Sequence, residues 1–130
     1  MSTPNAAGGP LGLLLSDDLI FASRVGGTAR ALGLTVRQAR DVDALVDLAR
    51  RHPVGGVLVD LGFPGLDLAE VLRRLEQACG RRPRVTAYGS HVDTASLRAA
   101  RALGCDPVLP RSKFVEELPT ALPAWLGVTA

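Results

Sequence analysis

The chain has 130 residues, of which 47% are hydrophobic, and a formal net charge of +2. These values predict one globular domain with its own core, and they exclude a disordered chain. No apolar run approaches the roughly 20 residues of a membrane span, and no hydrophobic signal core opens the sequence, so we expect a cytoplasmic protein.

Neither the cysteines nor the arginines indicate a binding site. Cys79 and Cys105 fit neither a disulfide framework nor a metal site, and we expect both to stay reduced. The pairs Arg50–Arg51, Arg73–Arg74 and Arg81–Arg82 fall in different predicted elements, without interleaved aromatic residues. Nucleic-acid binding is therefore not expected.

The N-terminal part predicts one strand and one helix. Residues 1–10 are expected to be a flexible lead, and a single folded domain is expected over residues 11–130. The domain begins with an apolar run of strand length, Leu11–Leu15, after which Asp18 can cap a helix. Gly33 ends that helix.

The middle of the chain predicts two further strands. Thr35–Val36 begins the second strand, and either Asp41 or Asp43 opens the helix that follows. The pair Gly55–Gly56 is interpreted as punctuation, so that the third strand is predicted at Val57–Val59.

The last part of the chain continues the same alternation. The predicted elements are a helix around Leu68–Leu75, a strand at Arg84–Tyr88, a helix at Ala95–Leu103, a strand at Val108–Leu109 and a helix at Phe114–Leu126. Pro119 and Pro123 are expected to shorten or bend the last helix.

Five strands thus alternate with five helices in units of about 20 to 25 residues. This rhythm predicts an α/β fold whose parallel sheet is covered by helices on both faces. Right-handed crossovers restrict the topology, and we expect the flavodoxin-like strand order 2-1-3-4-5.

The most informative segment is Val57–Asp67, in which an apolar run ends at Asp60 and a Pro-Gly turn follows. A carboxylate there lies where open α/β sheets bind their ligands, although it could merely start a turn or cap a helix. The segment resembles the phosphoacceptor strand of response-regulator receiver domains, in which the strand ends in Asp and Pro-Gly and a further Asp follow. The resemblance covers about Leu11 to Leu126. It implies that Asp60 accepts a phosphoryl group.

The resemblance also implies Mg²⁺, held by Asp60 and by acids at the end of the first strand. Two registers are open for those acids. Matching letters gives Asp17 and Asp18, whereas counting back from the helix gives Ser16 and Asp17. We prefer the second register, in which Asp17 is a metal ligand, Ser16 replaces an acid and Asp18 caps the helix. This arrangement predicts a weak metal site.

Receivers carry a switch hydroxyl after the fourth strand. Counting from Gly104 places that position at Gly89, so the neighbouring Ser90 is the candidate hydroxyl. Thr86 falls too early and is expected to face the core. His91 is expected in the loop near the mouth of the site.

Receivers also carry a lysine after the fifth strand, which binds the phosphoryl oxygens. The same count places this position at Arg111, and Lys113, the only lysine, is the alternative. Arginine still pairs with phosphate, as a planar fork. Val108 stands where many receivers have a switching Tyr or Phe, so the aromatic half of that switch is missing.

Three functions follow from these residues. The first is a single-domain receiver, which is not a classical enzyme although receivers catalyse their own phosphorylation and dephosphorylation. It would take the phosphoryl group from a histidine kinase or phosphotransfer protein and act through a downstream protein partner or a homodimer. The second is a receiver-shaped interaction module that no longer needs phosphate, which the missing acid, hydroxyl and aromatic residue favour.

The third function is a nucleotide-binding enzyme, but the sequence contains neither GxGxxG nor GxxxxGK[ST]. Gly26–Gly27 lies inside a helical pattern and is expected to permit close helix packing.

Overall fold

The computed structural model describes residues 10–128, so that most of the predicted lead lies outside the described residues. Within this range, five strands alternate with five helices. The strands are β1 (Leu11–Leu15), β2 (Val36–Ala39), β3 (Val54–Asp60), β4 (Val85–Gly89) and β5 (Val108–Pro110). The helices are α1 (Leu19–Ala31), α2 (Val42–Arg51), α3 (Leu68–Cys79), α4 (Thr94–Ala102) and α5 (Arg111–Trp125).

The strands form one parallel sheet in the order β2-β1-β3-β4-β5. This order confirms the predicted flavodoxin-like fold. Helices α1 and α5 cover one face of the sheet, and α2, α3 and α4 cover the other. No helix between residues 10 and 128 is both long and apolar enough to cross a membrane.

The core consists of two hydrophobic layers, one on each face of the sheet. All five residues of the interior strand β1 are buried, which explains why its sequence is continuously apolar. Leu14 on β1 and Leu58 on β3 both face α1 and α5. Because side chains alternate along a strand, Ser16 and Asp60, each two residues further on, belong to that same face.

Four helices begin at an aspartate that caps them. Asp18, Asp41, Asp67 and Asp93 each accept a hydrogen bond from the backbone N–H three residues further along. This confirms Asp18 as an N-cap, and it selects Asp41 over Asp43 as the start of α2. Each cap satisfies one backbone donor that the helix itself leaves unpaired.

The prediction that Gly55–Gly56 precedes the third strand is wrong, because β3 begins at Val54 and includes both glycines. A Cβ atom at Gly55 would lie 2.1 Å from the carbonyl oxygen of Leu126. A Cβ atom at Gly56 would lie 2.1 Å from the carbonyl oxygen of Trp125. The two glycines therefore let the end of α5 lie directly against β3.

The prediction of close helix packing at Gly26–Gly27 is also wrong. Added Cβ atoms would meet only the guanidinium group of Arg30, at 3.6 Å from Gly26 and 3.7 Å from Gly27. These two glycines therefore have room for a side chain.

Helix α5 begins three residues earlier than predicted, at Arg111 instead of Phe114, directly after β5. Pro119 and Pro123 lie inside the helix and do not shorten it. The early start places Arg111 in the first turn of α5, at the edge of the sheet where β3 ends.

Candidate functional site

Asp60 is the last residue of β3 and is only 8% exposed. Both of its carboxylate oxygens accept a hydrogen bond. The backbone N–H of Gly62 donates to Oδ1 at 2.8 Å, and the hydroxyl of Ser16 donates to Oδ2 at 3.2 Å. The carboxylate is thereby held in one orientation at the carboxyl edge of the sheet.

Ser16 connects Asp60 to the start of α1. It directly follows β1 and is fully buried. Its Oγ atom donates to Asp60 and accepts the backbone N–H of Asp18 at 3.1 Å. A second carboxylate at this position would lie against Asp60, and two like charges so close together raise the free energy of the site. Ser16 therefore gives a structure in which Asp60 is the one buried acid among the described residues.

Asp18 and Arg111 form an ion pair at the edge of the site. The carboxylate Oδ1 of Asp18 accepts the N–H of Phe21 at 2.9 Å, and its Oδ2 lies 3.0 Å from Nη2 of Arg111. The guanidinium carbon of Arg111 lies 4.1 Å from the centre of the Phe21 ring. The backbone N–H of Phe21 first, and Arg111 second, lower the pKa of Asp18. The predicted phosphate-binding cation is thus held by the start of α1.

Three residues predicted for the site share one cleft. Ser90, His91 and Arg111 line an open cleft of about 660 Å³, and Phe21, Arg24, Ser112 and Val115 complete the lining. Ser90 is exposed in the loop after β4, where its hydroxyl accepts the N–H of Val92 at 3.3 Å. Asp60 and Asp17 are not among the lining residues. Lys113, the alternative cation, instead lies beside Glu116 and Glu117 on α5, at 3.7 and 3.9 Å.

Comparison with known proteins gives a match in structure but not in sequence. No protein-family model matches the sequence, and neither does any curated protein. A response regulator receiver protein from Burkholderia phymatum is 23% identical with a TM-score of 0.75, over 94% of this chain and 98% of that chain. The fold is that of response-regulator receiver domains.

Two further structures with the receiver fold carry information on ligands and partners. A response regulator from Burkholderia pseudomallei contains a phosphorylated aspartic acid, a calcium ion and citrate. It is 22% identical with a TM-score of 0.72, over 91% of this chain and 66% of that chain. A chain from the co-crystal of a Saccharomyces cerevisiae histidine phosphotransfer protein with a receiver domain is 18% identical. Its TM-score is 0.66, over 88% of this chain and 92% of that chain.

Two residues that the sequence analysis discussed for the switch, Thr86 and Val108, are both buried. Thr86 is fully buried and its hydroxyl has no hydrogen-bond partner within residues 10–128, so it faces the core as predicted. Val108 is 5% exposed and pairs with Ala87 across the sheet.

Sequence analysis missed Tyr88 as a residue of the site. Tyr88 pairs with Asp60 across β3 and β4, is fully buried, and has a hydroxyl without a partner among the described residues. Its ring lies 5.2 Å from that of Phe21 and 4.3 Å from that of Phe114. Burial, and then the charge of Asp60, raise the pKa of Tyr88 well above its usual range, so the hydroxyl stays protonated. The signal in the sequence was the position of this single tyrosine, at the end of the strand that follows the strand of Asp60.

The acids around Asp60 suit a divalent metal only weakly. Within residues 10–128, no group of three or more His, Cys, Asp or Glu side chains comes together to hold a metal ion. Asp17 is exposed, whereas Asp18 is engaged with Arg111. Mg²⁺ keeps several waters and needs only one or two carboxylates. The Mg²⁺ site expected at Asp17 and Asp60 therefore stays a prediction.

Proposed function

We propose that this protein is a phosphorelay receiver, not a classical enzyme, which accepts a phosphoryl group on Asp60 and signals by binding a partner. The observation that carries the proposal is the position of Asp60 in a receiver fold. It ends the central strand β3, retains 8% exposure, and is oriented by Gly62 and Ser16.

The chemistry is the transfer of a phosphoryl group to a carboxylate. One Asp60 oxygen forms a bond to phosphorus, and the bond from phosphorus to the leaving group breaks. The electron pair of that bond leaves with the imidazole of a phosphohistidine or with the acetate of acetyl phosphate. The product is a mixed anhydride of Asp60. Hydrogen bonds from Ser16 and Gly62 fix the orientation of the carboxylate before the reaction, so that it loses less orientational freedom in the transition state.

Positive charge must balance the incoming phosphoryl group. Mg²⁺ held by Asp17 and Asp60 would supply part of this charge. Arg111 would supply another part, and to do so its guanidinium must loosen its bond to Asp18. Ser90, in the same cleft as Arg111, would donate its hydroxyl to a phosphoryl oxygen.

The donor would be a histidine kinase or a phosphotransfer protein. The yeast co-crystal named above pairs a receiver domain with a histidine phosphotransfer protein. In this chain, Ile20 at the start of α1 is 86% exposed and Val92 after β4 is 74% exposed. Apolar side chains left exposed beside Ser90 and Asp18 suit contact with an apolar stripe on a partner helix. We place both partners, and a downstream protein target, in the cytoplasm.

A phosphorylation-independent interaction module is the second candidate. The ion pair of Arg111 with Asp18 favours it, because this cation is already neutralised without a phosphoryl group. Ser16 in place of an acid favours it too, because fewer carboxylates remain for Mg²⁺.

Incubation with Mg²⁺ and acetyl phosphate, followed by intact-mass measurement, separates the two candidates. A receiver gains the mass of one phosphoryl group, and Asp60→Asn abolishes the gain. Asp67→Asn is the matched control, because Asp67 is an exposed N-cap seven residues further on and should leave the gain intact. Failure of the wild-type protein to gain mass, from acetyl phosphate and from a phosphorylated histidine donor alike, would favour the second candidate.

A further inference from the structure

Two buried hydroxyl groups lack a hydrogen-bond partner among residues 10–128: those of Thr86 and Tyr88. A buried hydroxyl left unpaired costs free energy, so its retention needs a reason. Both residues lie on β4 and share one face of the sheet, because they are two positions apart. Only Tyr88 lies beside Asp60.

Ser16, Asp60 and Tyr88 form a row at the carboxyl edge of three adjacent strands. Leu14 pairs with Leu58, and Leu58 with Thr86, so that the next residues on the same face are Ser16, Asp60 and Tyr88. All three are buried, and α1 and α5 cover this face. Burial, and then the charge of Asp60, raise the pKa of Tyr88, whereas Ser16 lowers it. The hydroxyls of Ser16 and Tyr88 form no hydrogen bond with each other.

Ser16 cannot serve both neighbours with its single hydrogen. A serine hydroxyl has one donor and two acceptor lone pairs. Ser16 gives its hydrogen to Asp60 and uses one lone pair for the N–H of Asp18. The bond to a carboxylate is charge-assisted and roughly twice as strong as one to a neutral group. While Asp60 is charged, it therefore keeps the hydrogen of Ser16, and the hydroxyl of Tyr88 bonds neither to that hydroxyl's hydrogen nor to its remaining lone pair.

We propose that Tyr88 is a positioning residue that takes over the hydroxyl of Ser16 when Asp60 loses its carboxylate charge. In the charged state, Ser16 donates to Asp60 and Tyr88 stays unpaired. The same loss of charge occurs in an acyl phosphate of Asp60, whose formation rests on the function proposed above. There the negative charge lies on the phosphoryl oxygens and no longer on the carboxylate. The side chain of Ser16 then rotates towards Tyr88, and its hydroxyl donates to the oxygen of Tyr88. Tyr88 thus provides, in one residue of β4, both a hydroxyl that responds to the charge of Asp60 and an aromatic ring that contacts α5.

The ring of Tyr88 connects this exchange of hydrogen bonds to the last helix, α5. It stacks on Phe114 at 4.3 Å, and Phe114 stacks on Trp125 at 5.2 Å. A hydrogen bond that fixes Tyr88 therefore fixes a side chain in direct contact with α5, next to the only tryptophan.

The exchange is tested without any phosphoryl donor, by combining Tyr88→Phe with Asp60→Asn in chelator. The asparagine side chain is neutral, and its NH₂ can donate to Ser16 and so free the serine hydrogen for Tyr88. We expect Tyr88→Phe to leave the Tm unchanged or higher in the wild-type background. In the Asp60→Asn background it should lower the Tm by roughly 3 °C. An equal effect of Tyr88→Phe in both backgrounds would overturn the proposal.

Thr86→Val is the matched control, because it removes the other unpaired buried hydroxyl from the same strand. Thr86 lies two residues, or roughly 7 Å, before Tyr88 along β4. Its effect on the Tm should be the same whether residue 60 is aspartate or asparagine. Ser16→Ala should erase the dependence of Tyr88→Phe on residue 60, and a dependence that persists without Ser16 would contradict the exchange.

A spectroscopic measurement separates hydrogen bonding from a merely structural role of the ring. Tyr88 is the only tyrosine, so its ultraviolet resonance Raman doublet needs no assignment. The doublet should change from an unpaired to a hydrogen-bonded phenol in Asp60→Asn and upon addition of beryllofluoride. If only the beryllofluoride arm fails, the phosphoacceptor function is wrong and the exchange stands; an unchanged doublet in Asp60→Asn overturns the exchange itself.

Discussion

Arg111 and Asp18 join the first turn of α5 to the N-cap of α1, with 3.0 Å between Nη2 and Oδ2. Both side chains are partly exposed, so the pair contributes little to overall stability. Its importance is positional. It holds the predicted phosphate-binding cation beside α1 and over the ring of Phe21, before any phosphoryl group is present.

The Asp18–Arg111 pair should make stability depend on pH in the acid range. The pKa of Asp18 in the folded protein lies below its ordinary value of 3.8. Its contribution to stability is therefore complete above that ordinary value and is lost as the pH falls through the folded value. We expect the Tm of the wild-type protein to fall more steeply than that of Asp18→Asn in melts below about pH 4. Asp17→Asn, next in sequence but exposed, serves as the control, and equal slopes for wild type and Asp18→Asn would contradict the prediction.

Ser16→Asp should tighten Mg²⁺ binding, because it adds a carboxylate next to Asp60. We expect the affinity to rise on the order of tenfold in calorimetric titration. In chelator the same variant should be less stable than wild type, because two carboxylates then face each other without a cation. Ser16→Asn introduces a side chain with the shape of aspartate but without its charge, and it should not tighten Mg²⁺ binding. Unchanged affinity in Ser16→Asp would favour the register in which Asp17 and Asp18 are the acidic pair.

The fold could be predicted from the sequence because strand and helix periods are local properties. The burial of β1 and the capping role of Asp18 followed directly from such patterns. Gly55–Gly56 was misinterpreted because its cause is not local: the backbone of Trp125 and Leu126 lies against it from the other end of the chain. Tyr88 was missed for the same reason, since its proximity to Asp60 depends on the pairing of β3 with β4.

Asp60→Asn should stabilise the protein in chelator, by about 1 kcal/mol. The carboxylate is buried, and only two neutral groups, Gly62 and Ser16, bind it. An asparagine keeps both partners, because its oxygen can accept from Gly62 and its NH₂ can donate to Ser16. Asp60→Ala leaves both partners unpaired and should be less stable than Asp60→Asn. Urea unfolding would measure both, and a loss of stability in Asp60→Asn would indicate that the charge itself has a structural role.

Alanine substitutions at two glycines should have opposite effects. Gly56→Ala places a methyl group 2.1 Å from the carbonyl oxygen of Trp125, so it must displace the end of α5. We expect a loss of about 2 kcal/mol or more in unfolding free energy. Gly26→Ala lies inside α1 with its nearest neighbour at 3.6 Å, and it should gain about 0.5 to 1 kcal/mol from helix propensity. Equal stabilities for the two variants would show that the end of α5 yields easily.

Phosphorylation should change self-association only slightly. Val108, predicted to stand in place of a switching aromatic residue, is 5% exposed, and Trp125 is 3% exposed and stacked on Phe114. Trp125 therefore fastens α5 to the core, and neither residue offers an aromatic surface to a second copy. Light scattering at fixed concentration should give the same mass with and without beryllofluoride, and Asp60→Asn provides the unmodified reference. A clean conversion from monomer to dimer would show instead that phosphorylation of Asp60 changes the protein surface through the loop at Ser90–His91.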